Sequence, residues 1–241
     1  MNRSKLKSIA ILAGTFVLVL LAPGCYVTTD SRGSVETSSR SVDLKGAKSV
    51  EVQIEMGAGE LVMRGGAASL MDADFRYRGS DGKPEVQYGV TGTRGVLTIK
   101  QPNHHSLGNN DKNHWELRMN EDTPMDVRVK LGAGEGRLDL GNTGLHNLEV
   151  EVGAGEMKVD LTGHPRGDMD VQIRGGVGEA TVRLPKRARL DVEAHGGLGE
   201  ITAHGLEKRG DRWVNEPSGQ PDSTIHVSVN GGIGQINLIC E

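Results

Sequence analysis

The residues of this chain best placed to do chemistry are glutamates that recur after a pair of glycines. The tetrapeptide Gly-x-Gly-Glu occurs five times, and a sixth copy carries glutamine in the last position. The motif residues are Gly57, Gly59, Glu60, Gly132, Gly134, Glu135, Gly153, Gly155, Glu156, Gly176, Gly178, Glu179, Gly197, Gly199, Glu200, Gly232 and Gly234. Carboxylates stacked in a row repel one another unless a cation or hydrogen-bond donors neutralise them. The motif is therefore either a row of ligands for a hard cation such as Ca²⁺ or a structural corner.

The spacing of the glutamates favours the structural interpretation. Calcium-binding β-rolls repeat aspartate in nine-residue units, whereas glutamate repeats here at about 21 residues. We expect each carboxylate to accept backbone N–H bonds at its corner and to meet basic side chains on adjacent rungs. The candidate basic partners are Lys130, Arg137, Lys158 and Arg174.

Histidines form a second candidate cluster. His104, His105 and His114 lie in or beside the polar segment 101–113, which is typical of a solvated loop, although imidazoles there could collect Zn²⁺. The chain has no Gly-x-Ser-x-Gly motif and no dinucleotide fingerprint that opens a helix. The sequence therefore predicts a non-enzymatic protein, without a catalytic residue, a metal site or a cofactor.

The amino-terminal segment carries a candidate lipid attachment site. Basic residues precede an apolar run from Ile9 to Leu21, and small residues then lead to Cys25. This order is typical of a secretory signal, and the cysteine after a small residue resembles the lipobox of bacterial lipoproteins. We expect residues 1–24 to be a signal peptide and acylated Cys25 to anchor the protein in a membrane. An ordinary signal peptide, or an uncleaved anchor with an incidental cysteine, is the alternative.

The segment after the cysteine is consistent with an anchor. Residues 25–41 are polar and rich in serine and threonine, which is typical of a flexible tether. Because Tyr26 rather than aspartate follows Cys25, the enterobacterial sorting rule favours the outer membrane, on its periplasmic or surface face. We therefore expect the protein in the cell envelope, with its folded part beginning near Val42.

The composition of the chain excludes two classes of protein. Glycine supplies 35 of 241 residues and aromatic residues only 3%. Glycine weakens a helix interior by about 1 kcal/mol per residue, so a helix bundle is disfavoured. The formal net charge of −4 leaves no basic field to hold nucleic acid.

Apolar and polar residues alternate on both sides of each motif. In the second copy, Val127, Val129 and Leu131 precede the glycines, and Leu138 and Leu140 follow the glutamate. Alternation of period two predicts strands. Its change of parity at the glycines indicates a bend, where glycine permits a positive φ and close stacking of neighbouring rungs. Each unit is therefore strand, corner, strand. The sequence predicts an all-β fold, a single β-solenoid of about 21-residue repeats, because propeller blades need about 40 residues and hairpin tips prefer other turn residues.

The residue between the two glycines varies with the residue before them. Large residues precede alanine, and glycine precedes a bulky residue, in the pairs Met56/Ala58, Leu131/Ala133, Val152/Ala154, Gly175/Val177, Gly196/Leu198 and Gly231/Ile233. One bulky group per corner suggests a shared interior of fixed volume. We therefore expect the corner side chains to be buried.

The repeats divide the folded part into a divergent N-terminal β region, residues 42–120, and regular repeats over residues 121–241. Strand residues of the first region are Phe75, Tyr77, Val86, Tyr88, Leu97, Ile99, Trp115, Leu117 and Met119. The insertion 205–223 contains Trp213, which either caps the open end of the core or belongs to an interaction loop. Cys240 aligns with Leu140, Leu161 and Leu184, so we expect a buried free thiol on the inward face of the last rung.

Stretches such as GAGELVMRGGA, LEVEVGAGEMKVDL and IHVSVNGGIGQINL, within residues 50–238, resemble the bacterial toast-rack family. This family is related to the C-terminal domains of LiaF-like cell-envelope stress proteins. The resemblance implies a β-solenoid at the cell envelope and, for some members, control of sensor kinases. The predicted function is a structural, adhesive or protein-interaction scaffold; the alternative is an envelope-stress regulator that binds a membrane protein or sensor kinase. The expected partners are the membrane and an envelope protein, with no nucleic acid and no identified small-molecule substrate.

Overall fold

The computed structural model describes residues 34–79, 82–102, 113–221 and 223–241. Those residues form thirteen strands joined into one sheet system. The strands are β1 (Val35–Val42), β2 (Ser49–Gly65), β3 (Met71–Arg78), β4 (Glu85–Thr91), β5 (Arg94–Lys100), β6 (His114–Met119), β7 (Met125–Asp139), β8 (Leu145–Asp160), β9 (Met169–Leu184), β10 (Arg189–His204), β11 (Glu207–Arg209), β12 (Arg212–Val214) and β13 (Thr224–Cys240). None of the described segments forms a helix long and apolar enough to cross a membrane.

Six long strands, β2, β7, β8, β9, β13 and β10, form the rungs of a solenoid. Each rung bends at its glycine motif, and we call the part before the motif the first arm and the part after it the second arm. Neighbouring rungs pair in parallel with their motifs in register, so that Glu60 lies opposite Glu135 and Glu135 opposite Glu156. The predicted all-β solenoid with strand, corner, strand repeats is confirmed.

The core lies between the two arms. Inward-facing residues of the first arm, such as Val52 and Ile54, pack against those of the second arm, such as Leu61 and Met63, and all four are fully buried. The alternation of period two on each arm produces this one-sided burial. The parity change at the corner keeps the apolar face of both arms inside.

The order of the rungs differs from their order in the chain. Strand β13, the last in sequence, lies between β9 and β10, so that Ile233 is opposite both Val177 and Leu198. The insertion 205–223 explains this arrangement, because its hairpin β11–β12 pairs with the outer side of β10 and the chain returns on the other side. The expectation that Cys240 lies on the last rung is therefore wrong. Its burial as a free thiol opposite Leu184 is confirmed, and that burial raises its pKa.

The divergent region extends the solenoid beyond β2. Strands β6, β3 and β1 continue the second arm, while β5 and β4 continue the first. The strands predicted around Phe75 and Trp115 are β3 and β6, and the two rings meet edge to face with centroids 5.6 Å apart. Both rings are buried in this part of the core.

Strand β1 corrects the predicted tether of residues 25–41. Residues Val35–Val42 pair antiparallel with β3 over their whole length. The segment is polar because it forms an edge strand with mostly exposed side chains, and polarity alone does not separate such a strand from a linker. The predicted signal peptide 1–24, Cys25 and residues 26–33 lie outside the described residues.

Candidate functional site

The two glycines of each motif have different structural roles. The second glycine has a positive φ in every corner, from 128° at Gly134 to 149° at Gly199. The first glycine permits close stacking, since a Cβ added at Gly132 would lie 2.3 Å from the carbonyl oxygen of Gly57 on the rung before it. Both predicted roles, positive φ and close approach, are confirmed.

The side chain between the glycines points outward, so the expectation of a buried corner is wrong. Val177, Ile233 and Leu198 are 54%, 53% and 71% exposed. They lie opposite one another on three adjacent rungs, and we call them the apolar row. Because β13 separates β9 from β10, sequence order alone does not reveal that Ile233 stands between the other two.

The interior volume is compensated from the second arm. A Cβ added at Gly196 would lie 3.6 Å from Cγ1 of Ile201, and one at Gly231 would lie 3.3 Å from Cδ1 of Ile236. At these two corners the isoleucine five positions along the chain, across the bend, packs in the space that a side chain before the glycines would fill. At Gly175 no atom lies within 4 Å of an added Cβ, and a cavity of about 30 Å³ remains beneath these corners.

The corner glutamates form a second row beside the apolar row. The row runs Glu60, Glu135, Glu156, Glu179, Gln235 and Glu200 in spatial order. The glutamine of the last motif therefore interrupts the carboxylates between the fourth and fifth glutamates. If the rungs followed the order of the chain, Glu179 and Glu200 would be neighbours. Gln235 lies between them and removes that like-charge contact.

Neighbouring side chains form hydrogen bonds and an ion pair with part of the glutamate row. His114 Nδ1 lies 2.8 Å from Glu60, Lys158 Nζ lies 2.5 Å from Glu156, and the Asn237 amide donates to Glu179 at 2.6 Å. His114 is thus the first residue of β6 and contacts the glutamate row, which corrects its assignment to a loop. His104 and His105 lie outside the described residues.

The other predicted basic partners have different positions. Lys130 Nζ lies 3.4 Å from Glu151, and Arg174 donates to Glu149 at 2.9 Å, both on the outer face of the first arms. Arg137 lines a shallow depression at the glutamate row. Within the part of the chain that the structure describes, no group of three or more His, Cys, Asp or Glu residues is placed to hold a metal ion.

A charged groove of about 470 Å³ crosses the outer faces of the first arms. Most of its acidic side chains are paired with arginines, for example Glu149 with Arg128 at 2.7 Å and Glu51 with Arg94 at 3.1 Å. Hydrogen bonds from Gln53 and Arg94 lower the pKa of Glu51. Hydrogen bonds from Arg128 and Arg174 lower the pKa of Glu149. Both carboxylates therefore stay ionised at neutral pH, which suits ion pairing and not proton donation.

Trp213 lies on strand β12, opposite Val192 of β10. Its ring is half-buried against the core, and Lys208 Nζ lies 5.3 Å from the ring centroid. Of the two roles considered for the insertion 205–223, this packing favours a cap on the end of the core.

Comparison with known families identifies the family to which this chain belongs. The family model described as the N-terminal domain of toast_rack, DUF2154, matches residues 31–183. The chain belongs to the toast-rack family. The match covers the divergent strands and the first three regular corners after them, and the remaining rungs repeat the same toast-rack geometry.

Solved structures give a consistent result. The toast-rack chain is 32% identical to a "putative cell adhesion protein" from Clostridium sporogenes, with 86% of this chain and all of that chain covered and a TM-score of 0.82. A "putative adhesin" from Bacteroides fragilis is 12% identical over 86% of this chain and 97% of its own, with a TM-score of 0.32, a likeness too weak to inform the fold. A comparison with curated proteins gave no match.

Proposed function

We propose that this toast-rack protein is a lipid-anchored, non-enzymatic scaffold of the cell envelope with an adhesive role. The observation that carries the proposal is its likeness, at 32% identity and a TM-score of 0.82, to a protein described as a "putative cell adhesion protein", over the whole of that chain. The family assignment alone would support the fold and not the role.

The surface of the solenoid supports a contact function. The apolar row and the glutamate row run side by side across successive rungs, on a backbone held by in-register parallel pairing. Most charged groups of the outer groove are paired with one another, and the pKa values of Glu51 and Glu149 are lowered, away from the range of a general acid. This surface presents side chains that a partner can contact, and neither Glu51 nor Glu149 has the raised pKa of a general acid.

The anchor is the second part of the proposal. A basic segment, an apolar run and a small residue before Cys25 support secretion and acylation of that cysteine. Acyl chains would hold the scaffold at a membrane, where several chains are needed for stable binding.

Radiolabelled palmitate tests the anchor. We expect label in the wild-type chain and in Cys240→Ala, because that thiol is buried in the core, and no label in Cys25→Ala. Equal labelling of Cys25→Ala and the wild type would overturn the anchor.

Deletion of the gene tests the adhesive role. We expect the deletion strain to lose attachment to surfaces or to other cells, the wild-type gene to restore it, and Cys25→Ala to fail to restore it. Unchanged attachment together with an altered envelope-stress reporter under antibiotic challenge would overturn the adhesive role in favour of regulation.

A further inference from the structure

The stack of corners ends differently on its two sides. At the first corner, the side chain of Gln101 accepts from the Gly57 amide at 2.9 Å, and the Asn113 side chain donates to the Ala58 carbonyl at 3.2 Å. These side chains substitute for a missing rung. At the other end, β10 pairs with β13 along its length and with β12 only over residues 191–193. In the described residues, the stretch 194–203 therefore has a sheet neighbour on one side only.

This free edge lacks the usual protection of edge strands. The sequence of residues 194–203, AHGGLGEITA, contains no lysine and no proline, which are the residues that commonly block edge pairing. Leu198 at its centre is 71% exposed. The inward residues Ala194, Ile201 and Ala203 are only partly buried, because no further rung covers them.

The direction of the backbone groups shows how the edge can pair. Inward-facing residues direct their amides toward the following rung on both arms, as in Met125 to Gly144 and Leu161 to Arg183. The amide of Leu190 follows the rule on β10, where it donates outward to Asn215 Oδ1 at 2.9 Å. By the alternation of a strand, Ala194 and Gly196 on the first arm, and Ile201 and Ala203 on the second, present their N–H and C=O groups at the free edge.

We propose that the occupant of this edge is the β10 edge of a second copy of the chain, paired antiparallel about a twofold axis at the corner. The axis passes between Leu198 and Gly199. Ala194 then lies opposite Ala203 of the second copy, and Gly196 opposite Ile201 of the second copy. Both pairs join inward residues that present hydrogen-bonding groups, so the two cores become continuous.

The parity change at the corner is what makes this pairing consistent. In a straight strand, a twofold axis between two residues would place an inward residue opposite an outward one, and their hydrogen-bonding groups would not meet. The bend shifts the phase by one residue, so inward residues meet inward residues on both arms. The proposal goes beyond the adhesive role and does not depend on it.

The outward side chains of the edge are also compatible with a second copy. His195 comes to lie opposite Thr202 of the other chain and diagonal to Glu200 of that chain. In the described residues neither the His195 nor the Glu200 side chain has an ion-pair or hydrogen-bond partner. A diagonal contact of opposite polarity would form twice in the dimer.

Disulfide formation tests the pairing. His195 and Thr202 would form a non-hydrogen-bonded pair with Cα atoms about 4.5 Å apart, within the range of a disulfide. We expect the His195→Cys, Thr202→Cys double variant, as full chain in membranes, to give a covalent homodimer under mild oxidation. Each single variant should give none, although a mixture of the two should. The matched control is Arg174→Cys with Thr181→Cys, at the equivalent positions of the interior rung β9, and it should stay monomeric.

A backbone variant provides an independent measurement. Ala203→Pro removes an N–H that the free edge presents, and in the full Cys25→Ala chain we expect at least a tenfold weaker dimer by sedimentation. At a protein concentration where both chains are monomeric, the melting temperature should be unchanged. A monomeric Cys25→Ala chain, absence of the double-variant homodimer, or crosslinking of β10 to a different protein in its place would overturn the proposal.

Discussion

The corner glycines are the residues on which the stack depends most. A Cβ at Gly134 would lie 1.9 Å from the carbonyl oxygen of Gly59, at a φ of 128°. Neither a rotamer change nor a small shift can relieve a contact with the backbone of the neighbouring rung. The sequence predicted this role because glycine is the residue that tolerates both constraints at once.

Gly134→Ala should lower the free energy of unfolding by at least about 2 kcal/mol, from backbone strain and overpacking together. Chemical denaturation measures the effect. The matched control is Gly89→Ala, whose added Cβ has no atom within 4 Å. Equal stability of Gly134→Ala and Gly89→Ala would contradict the close stacking of corners.

The outward direction of the corner side chains could not be predicted from composition. The reciprocal sizes at Gly196 and Leu198 suggested one shared space, but Ile201 fills the interior and Leu198 faces solvent. The parity change was visible in the sequence. The exact residue at which it occurs, and so the side to which Leu198 points, depends on the φ of Gly199, which only the folded backbone reveals.

The ion pairs of the outer groove predict an acid-dependent loss of stability. The pKa of Glu149 lies below its ordinary value of 4.5 in the folded chain. A lowered folded pKa adds stability above the ordinary value, and that stability is lost as the pH falls through the lowered pKa. We expect Glu149→Gln to flatten the fall in unfolding free energy below pH 4.5, by less than about 1 kcal/mol because its arginine partners are half exposed. A Glu149→Gln curve parallel to the wild type would contradict this account.

At the scale of elements, the insertion 205–223 determines the order of the rungs. Its hairpin covers the outer side of β10 over residues 191–193, and Trp213 packs there against the core. The sequence predicted a cap or an interaction loop from one aromatic residue in a polar segment. The sequence could not predict that β13 lies between β9 and β10. Every rung carries the same glycine corner, so any rung could stack on any other.

Trp213→Ala should lower the free energy of unfolding by about 2 kcal/mol, less than the 3–5 kcal/mol of a fully buried tryptophan. Thermal unfolding measures the loss. Lys208→Ala, which removes only the cation above the ring, should cost about 0.5 kcal/mol. If the tryptophan variant melted like the lysine variant, the insertion would not be a cap.

For the molecule as a whole, the repeated motif predicted the fold class, and the residues of the divergent region predicted most of its strands. The polar composition of residues 35–42 led to the wrong prediction of a tether where strand β1 forms. Ser39 illustrates the reason, since its hydroxyl donates to Asp74 on β3 at 2.7 Å. A polar strand that bonds a polar neighbour leaves no apolar alternation for the sequence to show. The family resemblance rested on the corners and their flanks, and within the corners the backbone and the stacking constrain the two glycines most strongly.

The order of the rungs, with β13 between β9 and β10, determines every contact of the regular repeats, and disulfides between paired cysteines can test it. Thr181 and Asn237 lie opposite each other on β9 and β13, and Asn237 lies opposite Thr202 on β10. In a Cys25→Ala chain, Thr181→Cys with Asn237→Cys should form an internal disulfide, because adjacent strands are about 4.8 Å apart. Thr181→Cys with Thr202→Cys should not, because two rung spacings separate them. A disulfide between positions 181 and 202 would show that the rungs follow the order of the chain and would contradict the structure.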